Sequence, residues 1–287
     1  MRVSELFSSR PALSFEFFPP KNPEQEANLY KVLGGLIAFT PDFASVTYGA
    51  MGTSREKTFF WVKEIKEKFA IEPVAHLTCV AATRDDIAGQ LDQLARIGVE
   101  NILAVRGDPP ADQPGFVSPV DGFRLAQELI AFIKAKKPAI CVGAAGFPEG
   151  HPQAPSREKD IEYLKQKIDA GAEYVITQLF FDNRYFFDFV NRCRLADIYV
   201  PIIPGIMPIT SFKQVKRMTE MCGATIPPEL LKKLEKHADD KAAIAAIGVE
   251  QTIAQCQELL ASEVPGLHFF IMNQAGPISR ILKELRK

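Results

Sequence analysis

Residues 74–106 read VAHLTCVAATRDDIAGQLDQLARIGVENILAVR, and the order of signals in that stretch decides the architecture. An apolar, β-rich run at 74–80 is followed by Thr83-Arg84-Asp85-Asp86, a capping side chain with an acid at the third helical position. An amphipathic stretch then runs to Gly98, a residue that ends a helix cheaply in the left-handed conformation, and a second apolar run follows at 101–106. Strand, helix and strand in that order imply parallel pairing, because parallel neighbours need a crossover. The strand runs are continuously apolar, as expected when both faces of a sheet are covered.

The same unit recurs in both directions. Strands are expected at 13–18, 43–48, 74–80, 101–106, 140–145, 174–180, 200–206 and 267–272. Asn22-Pro23-Glu24-Gln25, Thr53-Ser54-Arg55-Glu56 and Ser211-Phe212-Lys213-Gln214 mark further helix starts, and Gly171 and Gly223 further helix ends. Eight alternating units predict an α/β protein closed as a (β/α)8 TIM barrel. The competitor is a doubly wound open sheet, but no GxGxxG follows the first strand as a dinucleotide-binding version would require. The interval 207–265 is longer than one helix needs, and Pro227-Pro228 followed by two amphipathic runs predicts extra helices before the last strand. With no linker, repeat or low-complexity tract, residues 1–287 are expected to form one domain.

Composition narrows the function classes. A net charge of -1 provides no basic field for nucleic acid. The five cysteines are widely spaced, without a CxxC pair or the spacing of a structural zinc site, so no metal is expected. No apolar run approaches the roughly 20 residues of a membrane span, and residues 1–10 lack the apolar core of a secretion signal. The expected setting is cytoplasmic, away from membranes.

Barrel enzymes carry their chemistry at the C-terminal ends of the strands, so polar residues there are the candidates. Glu16 lies within the apolar run Ser14-Phe15-Glu16-Phe17-Phe18-Pro19-Pro20. Burial there would raise its pKa, which suits a proton donor, although a structural pairing with an arginine is the plainer alternative. Thr47-Tyr48, His76 and Arg106-Gly107-Asp108 point toward the same rim: arginine suits a phosphate, glycine admits close approach, and Asp108 adds a second carboxylate. Phe147-Pro148-Glu149-Gly150-His151-Pro152 forms a stiff loop after the fifth strand. Asp160, Tyr163, Gln166 and Lys167 follow on one helical face, either holding an elongated polar cofactor or forming a solvated stripe. Gln178 ends the sixth strand, where an amide can meet a heterocycle edge. His237 and His268 read as surface or structural residues. Nucleophile-elbow, HExxH and P-loop motifs are absent, which argues against hydrolases and nucleotide hydrolysis.

Taken together, SFEFFPPK, SVTYGA, HLTC, VRGDPP, FPEGHP, DAGAEYVITQLFFD, IIPGIMPI and FKQ closely resemble, in order, the methylenetetrahydrofolate reductase family in its bacterial, catalytic-domain-only form. The resemblance runs from Leu13 to Asn273. It implies an FAD-bearing barrel that takes a hydride from NADH or NADPH and reduces 5,10-methylenetetrahydrofolate to 5-methyltetrahydrofolate by ping-pong kinetics. By position, it makes Glu16 the general acid and Asp108 a catalytic neighbour of flavin and pterin that also holds the folate. Gln178, Gln214 and Gln274 would bind folate. Thr47, Tyr48, His76, Arg106, Gly107, Asp108, Phe147, His151, Asp160, Tyr163, Gln166 and Lys167 would form the FAD site. Three positions depart from the family pattern: Gln274 stands for an arginine, with Arg280 as the candidate replacement, Met218 for a phenylalanine and Phe147 for a tyrosine. The other readings are a non-catalytic flavin-binding subunit and a different FAD barrel oxidoreductase resembling proline dehydrogenase. A homo-oligomer is possible on either reading.

Overall fold

The computed structural model describes residues 1–8, 10–48, 55–108 and 116–287. Eight strands form a closed, all-parallel barrel in sequence order: β1 (Ala12–Phe17), β2 (Phe43–Val46), β3 (Glu72–Thr78), β4 (Asn101–Val105), β5 (Cys141–Gly146), β6 (Tyr174–Leu179), β7 (Ile202–Ile206) and β8 (Gly266–Phe270). Helices α1 (Pro23–Leu36), α2 (Arg55–Phe69), α3 (Arg84–Arg96), α4 (Ala126–Lys136), α5 (Arg157–Asp169), α6 (Asn183–Leu195), α7 (Phe212–Cys222) and α10 (Ala275–Leu285) alternate with them. The expected extra helices are α8 (Pro228–Lys236) and α9 (Lys241–Ala261), both before β8. No helix among the described residues is long and apolar enough to cross a membrane.

The local signals act as their chemistry dictates. Asn22 and Ser211 accept hydrogen bonds from the backbone N–H groups of Gln25 and Gln214, and Thr83 with Asp86 closes a full capping box. Gly98, Gly171 and Gly223 all have positive φ. The cap read at Thr53-Ser54 lies outside the described residues, as do Gly49-Ala50 and Pro109-Pro110 of the quoted segments.

The strand period of two sorts side chains between two cores. Phe15, Phe17, Val46, Leu77, Ile102, Val142, Val175 and Phe269 pack outward against the helices, each fully buried. Phe43, Val74, Leu103, Cys141, Tyr174 and Ile203 fill the barrel near the N-terminal strand ends. Tyr174 reaches across to β5, where a Cβ on Gly143 would collide with its ring. A 3-10 helix, Val3–Ser8, seals this end: Val3 is fully buried, its N–H donates to Asn101 Oδ1 (2.8 Å), and Arg2 pairs with Glu173. The N-terminal end of the barrel is thus filled and plugged.

The extra helices wall one side of that rim. Leu230, Leu234 and Ile244 bury themselves on Leu179, Met207, Ile209 and Val215, beyond the ends of β6 and β7. Gln255 of α9 donates to Phe180 O (2.9 Å), and Gln251 Nε2 reaches Phe181 O at 3.5 Å, tying the helix to the loop after β6.

Candidate active site

Ser14 and Glu16 are the inward residues of β1, between outward Phe15 and Phe17. Glu16 Oε2 lies 3.3 Å from His76 Nε2 of β3 and 3.8 Å from His268 Nε2 of β8. Glu16 is 8% exposed and His268 fully buried. Ser14 Oγ is 2.8 Å from His268 Nδ1 and 3.3 Å from Leu267 O. Phe43 stacks on the His268 ring (5.9 Å between centroids, 15°) and Phe270 meets it edge-on (5.4 Å, 87°), fixing its plane. No arginine pairs with Glu16 among the described residues; its partners are imidazoles. The ring nitrogen of His76, a residue expected at the flavin, faces the carboxylate. His268, read from the sequence as a surface or structural residue, lies in the barrel interior. The signal for this was in the strand itself, since in Gly266-Leu267-His268-Phe269-Phe270 the histidine shares the inward face with Phe270.

Burial lowers the pKa of His76 below the ordinary 6.5, against an opposing pull from Glu16. The unfolded chain therefore binds a proton in a range where the folded protein refuses it. Stability contributed by the neutral ring is present above pH 6.5 and lost as pH falls toward the folded pKa, with a slope of up to about 1.4 kcal/mol per pH unit. Half-buried His151 is shifted in the same direction. Urea midpoints at pH 7 and 5.5 should accordingly fall further for the wild-type protein than for His76→Gln. Equal falls would show that His76 does not titrate on unfolding.

A second cluster lies at the ends of β4 and β5. Arg106 Nε donates to Gly107 O (3.3 Å), and among the described residues no carboxylate lies within ion-pair distance of its guanidinium. Gly107 has φ +81°, and a Cβ there would sit 2.7 Å from Val80 Cγ1, so both backbone and space require glycine. Asp108 follows, exposed on the rim. Phe147 and His151 meet ring to ring at 4.5 Å, and His151 Nδ1 accepts from the Gln153 N–H (3.0 Å), which leaves Nε2 to carry the proton. Buried Asp160 accepts from the His151 N–H (3.2 Å), and Lys167 Nζ donates to Ala145 O (2.7 Å). Desolvation pushes Lys167 down to about 8 and Asp160 upward, while Arg106, Lys167, Asp160 and Asp108 all act on the charge of His151. The helical stripe is thus divided. Asp160 and Lys167 join the cluster, whereas Tyr163, beneath Lys159, and Gln166 are exposed. On the β2 and β3 side, Thr47 N–H continues the ladder to Phe17 O (2.9 Å), and Tyr48 OH donates to Gln90 Oε1 (3.1 Å) on α3.

The third group lies across the rim. A small cleft is lined by Pro208, Thr210, Phe270, Ile271, Met272, Gln274, Pro277 and Ile278. An adjoining small cleft includes Gln214 and shares Pro208, Thr210 and Met272. Gln178 is half-buried at the end of β6, where its Oε1 accepts from the Leu179 N–H (2.8 Å) beside a register shift toward β7. Met218 packs into the apolar wall. Arg280 is exposed six residues beyond Gln274, about 9 Å further along α10, and does not line either cleft. Asn273 is a positioning residue absent from the expectations. Its amide pairs with Phe18 in both directions (Oδ1 from N–H, 3.0 Å; Nδ2 to O, 2.9 Å), bolting the end of β1 to the end of β8. Met272 and Asn273 both adopt left-handed backbone there, φ 49° and 52°.

A profile described as methylenetetrahydrofolate reductase matches residues 2–286. The chain is 36% identical over 263 residues to the 5,10-methylenetetrahydrofolate reductase of Escherichia coli (strain K12), covering 92% of this chain and 86% of that protein. It is 37% identical over 286 residues to the probable methylenetetrahydrofolate reductase (NADH) of Oryza sativa subsp. japonica, covering 96% of this chain and 48% of that one. The chain thus spans about half the length of the plant and yeast relatives it matches. Among solved structures, a Clostridium thermocellum protein that binds two copies of 5-methyl-5,6,7,8-tetrahydrofolic acid superimposes with a TM-score of 0.67 at 16% identity, over 97% of this chain and 95% of the other. That likeness concerns the barrel fold alone.

Proposed function

Because this chain belongs to the methylenetetrahydrofolate reductase family, we propose that it reduces 5,10-methylenetetrahydrofolate to 5-methyltetrahydrofolate in the cytoplasm, as a single FAD-binding catalytic domain using NADH or NADPH. The observation that carries this reading is Glu16, a carboxyl 8% exposed on the inner wall of a barrel whose other end is plugged. Its proton passes to the nitrogen of the folate's five-membered ring, the C–N bond breaks with its electron pair staying on nitrogen, and the methylene carbon is left as an electrophilic iminium. Asp108, Gln178, Gln214 and Gln274 hold the folate, the last two from the adjoining clefts.

FAD is supported by the second cluster. Two cations, Arg106 and Lys167, gather around His151, and among the described residues no carboxylate lies within ion-pair distance of either. Half-buried cations in such a place fit an anionic ligand. Gly107, with no room for a Cβ, fits close approach of a ligand to the backbone. Thr47, Tyr48, His76, Phe147, Asp160, Tyr163 and Gln166 complete the proposed site. When bound, FAD supplies the two-electron redox chemistry. One stacking surface that serves nicotinamide and folate in turn gives ping-pong kinetics.

Anaerobic spectra provide the test. The purified protein should take up FAD, bleach with NADH or NADPH, and regain its colour on addition of methylenetetrahydrofolate. A colourless protein that refuses FAD would overturn the reading, and bleaching by proline instead would assign the barrel to a different oxidoreductase.

A further inference from the structure

We propose that Ser14 and His268 form a positioning pair that stabilises the carboxylate left on Glu16 once its proton has gone to the substrate, an inference that rests on the general-acid reading of Glu16 given above. Ser14 Oγ has two partners within reach, His268 Nδ1 at 2.8 Å and Leu267 O at 3.3 Å. The shorter contact assigns the hydroxyl proton to Nδ1, so the ring's own proton sits on Nε2. Among the described residues Nε2 has no hydrogen-bond partner, and the atom it faces is Glu16 Oε2, 3.8 Å away. That separation is beyond hydrogen-bond reach. A negative charge on Glu16 draws the N–H inward, as catalytic contacts tighten when the reaction complex forms.

A structural role explains this arrangement poorly. The ring and the hydroxyl are both fully buried in the barrel interior, where leaving polar groups incompletely partnered carries a cost that an apolar pair would avoid. Phe43 and Phe270 hold the ring plane, and Ser14 holds its tautomer, so both degrees of freedom that aim Nε2 are fixed. The groups facing Glu16 are Ser45 on β2, its register partner, and the imidazoles of His76 on β3 and His268 on β8. His76 is the nearer imidazole, but among the described residues no hydroxyl bonds to its ring as Ser14 does to that of His268. In the step itself the Glu16 O–H bond breaks, an N–H bond forms on the departing ring nitrogen, and the freed electron pair remains on the carboxylate. No proton leaves His268, which keeps its Nε2 proton and donates a hydrogen bond to the carboxylate as the charge forms.

Removing the donor makes Glu16 a weaker acid. In holoenzyme carrying Ser14→Ala or His268→Gln, the pH at which folate reduction declines on the alkaline side should move upward by about one unit, and the rate below it should fall about tenfold. Flavin reduction by the nicotinamide should stay within about twofold, because that half-reaction asks nothing of Glu16. In unaltered protein labelled with 15N-histidine, the rings of His151 and His268, two of the four histidines, should carry their proton on Nε2, and only that of His268 should become a tautomer mixture in Ser14→Ala. An unmoved alkaline limb, or a His268 ring protonated at Nδ1, overturns the proposal. If His268→Gln does not fold, Ser14→Ala and the wild-type spectrum decide the matter. Glu16→Gln separates the two failures: if it still reduces folate, the general-acid reading has failed, and if it does not while the limb stays put in Ser14→Ala, only the pair has failed.

Discussion

Glu16→Gln holoenzyme is expected to reduce methylenetetrahydrofolate about 10²–10⁴-fold more slowly than wild type while accepting electrons from the nicotinamide at close to the normal rate. The amide keeps the size of the side chain and can still meet His76 and His268, whose ring nitrogens lie 3.3 and 3.8 Å from the carboxylate. Packing of β1 should survive, since Phe15 and Phe17 make the outward contacts and the side chain of residue 16 contributes nothing to the ladder. What is lost is the transferable proton, and only the folate half of the cycle breaks a bond that needs one. Stopped-flow traces for each half-reaction make the measurement. Equal impairment of both would mean that residue 16 organises the cavity rather than supplying acid.

The barrel was legible because its signals are local and repeat. The capping box at Thr83 and the helix-ending Gly98 bracket α3 with no help from tertiary context, and the same grammar recurs at Asn22, Ser211, Gly171 and Gly223. Strand ends were less legible. The run 43–48 reads as one strand, but β2 stops at Val46, because only the backbone N–H of Thr47 continues toward β1. The plug formed by Val3–Ser8 could not be read, since it depends on a hole that exists only after eight strands close. Within the site, residue types identified Glu16, Arg106, Asp160 and Lys167, but long-range geometry decided their partners. Tyr163 and Gln166 share the helical spacing of Asp160 and Lys167 and are nonetheless exposed, because 3, 6 and 7 residues span an arc wider than the part of α5 that faces the barrel. Asn273 escaped notice because its role is to pair with Phe18, a residue 255 positions away in the chain.

Lys167→Met should move stability and cofactor affinity in opposite directions. Burial holds the ammonium near a pKa of about 8 in the folded protein, against 10.5 for an ordinary lysine, with Asp160 opposing the shift. At pH 7 the wild-type protein therefore carries a charge that its surroundings disfavour, and methionine of similar length removes it. Ala145 O loses a donor in exchange, which offsets part of the gain, so the net stabilisation of the cofactor-free protein should be about 1 kcal/mol. The sign with pH follows from the same shift. Between pH 8 and 10.5 the unfolded chain binds the proton that the folded protein has released, so wild-type stability rises through that window and the advantage of methionine fades. Affinity for FAD should fall about 10- to 100-fold, the value of a charge-assisted hydrogen bond to an anionic group. Chemical denaturation of the cofactor-free proteins at pH 7 and 10, together with FAD titration at pH 7, reads both quantities. A variant that loses stability and binds FAD normally would make Lys167 a structural strut for β5. The opposite pairing, a steadier empty barrel with a weaker hold on FAD, is what a buried cation kept for a ligand requires.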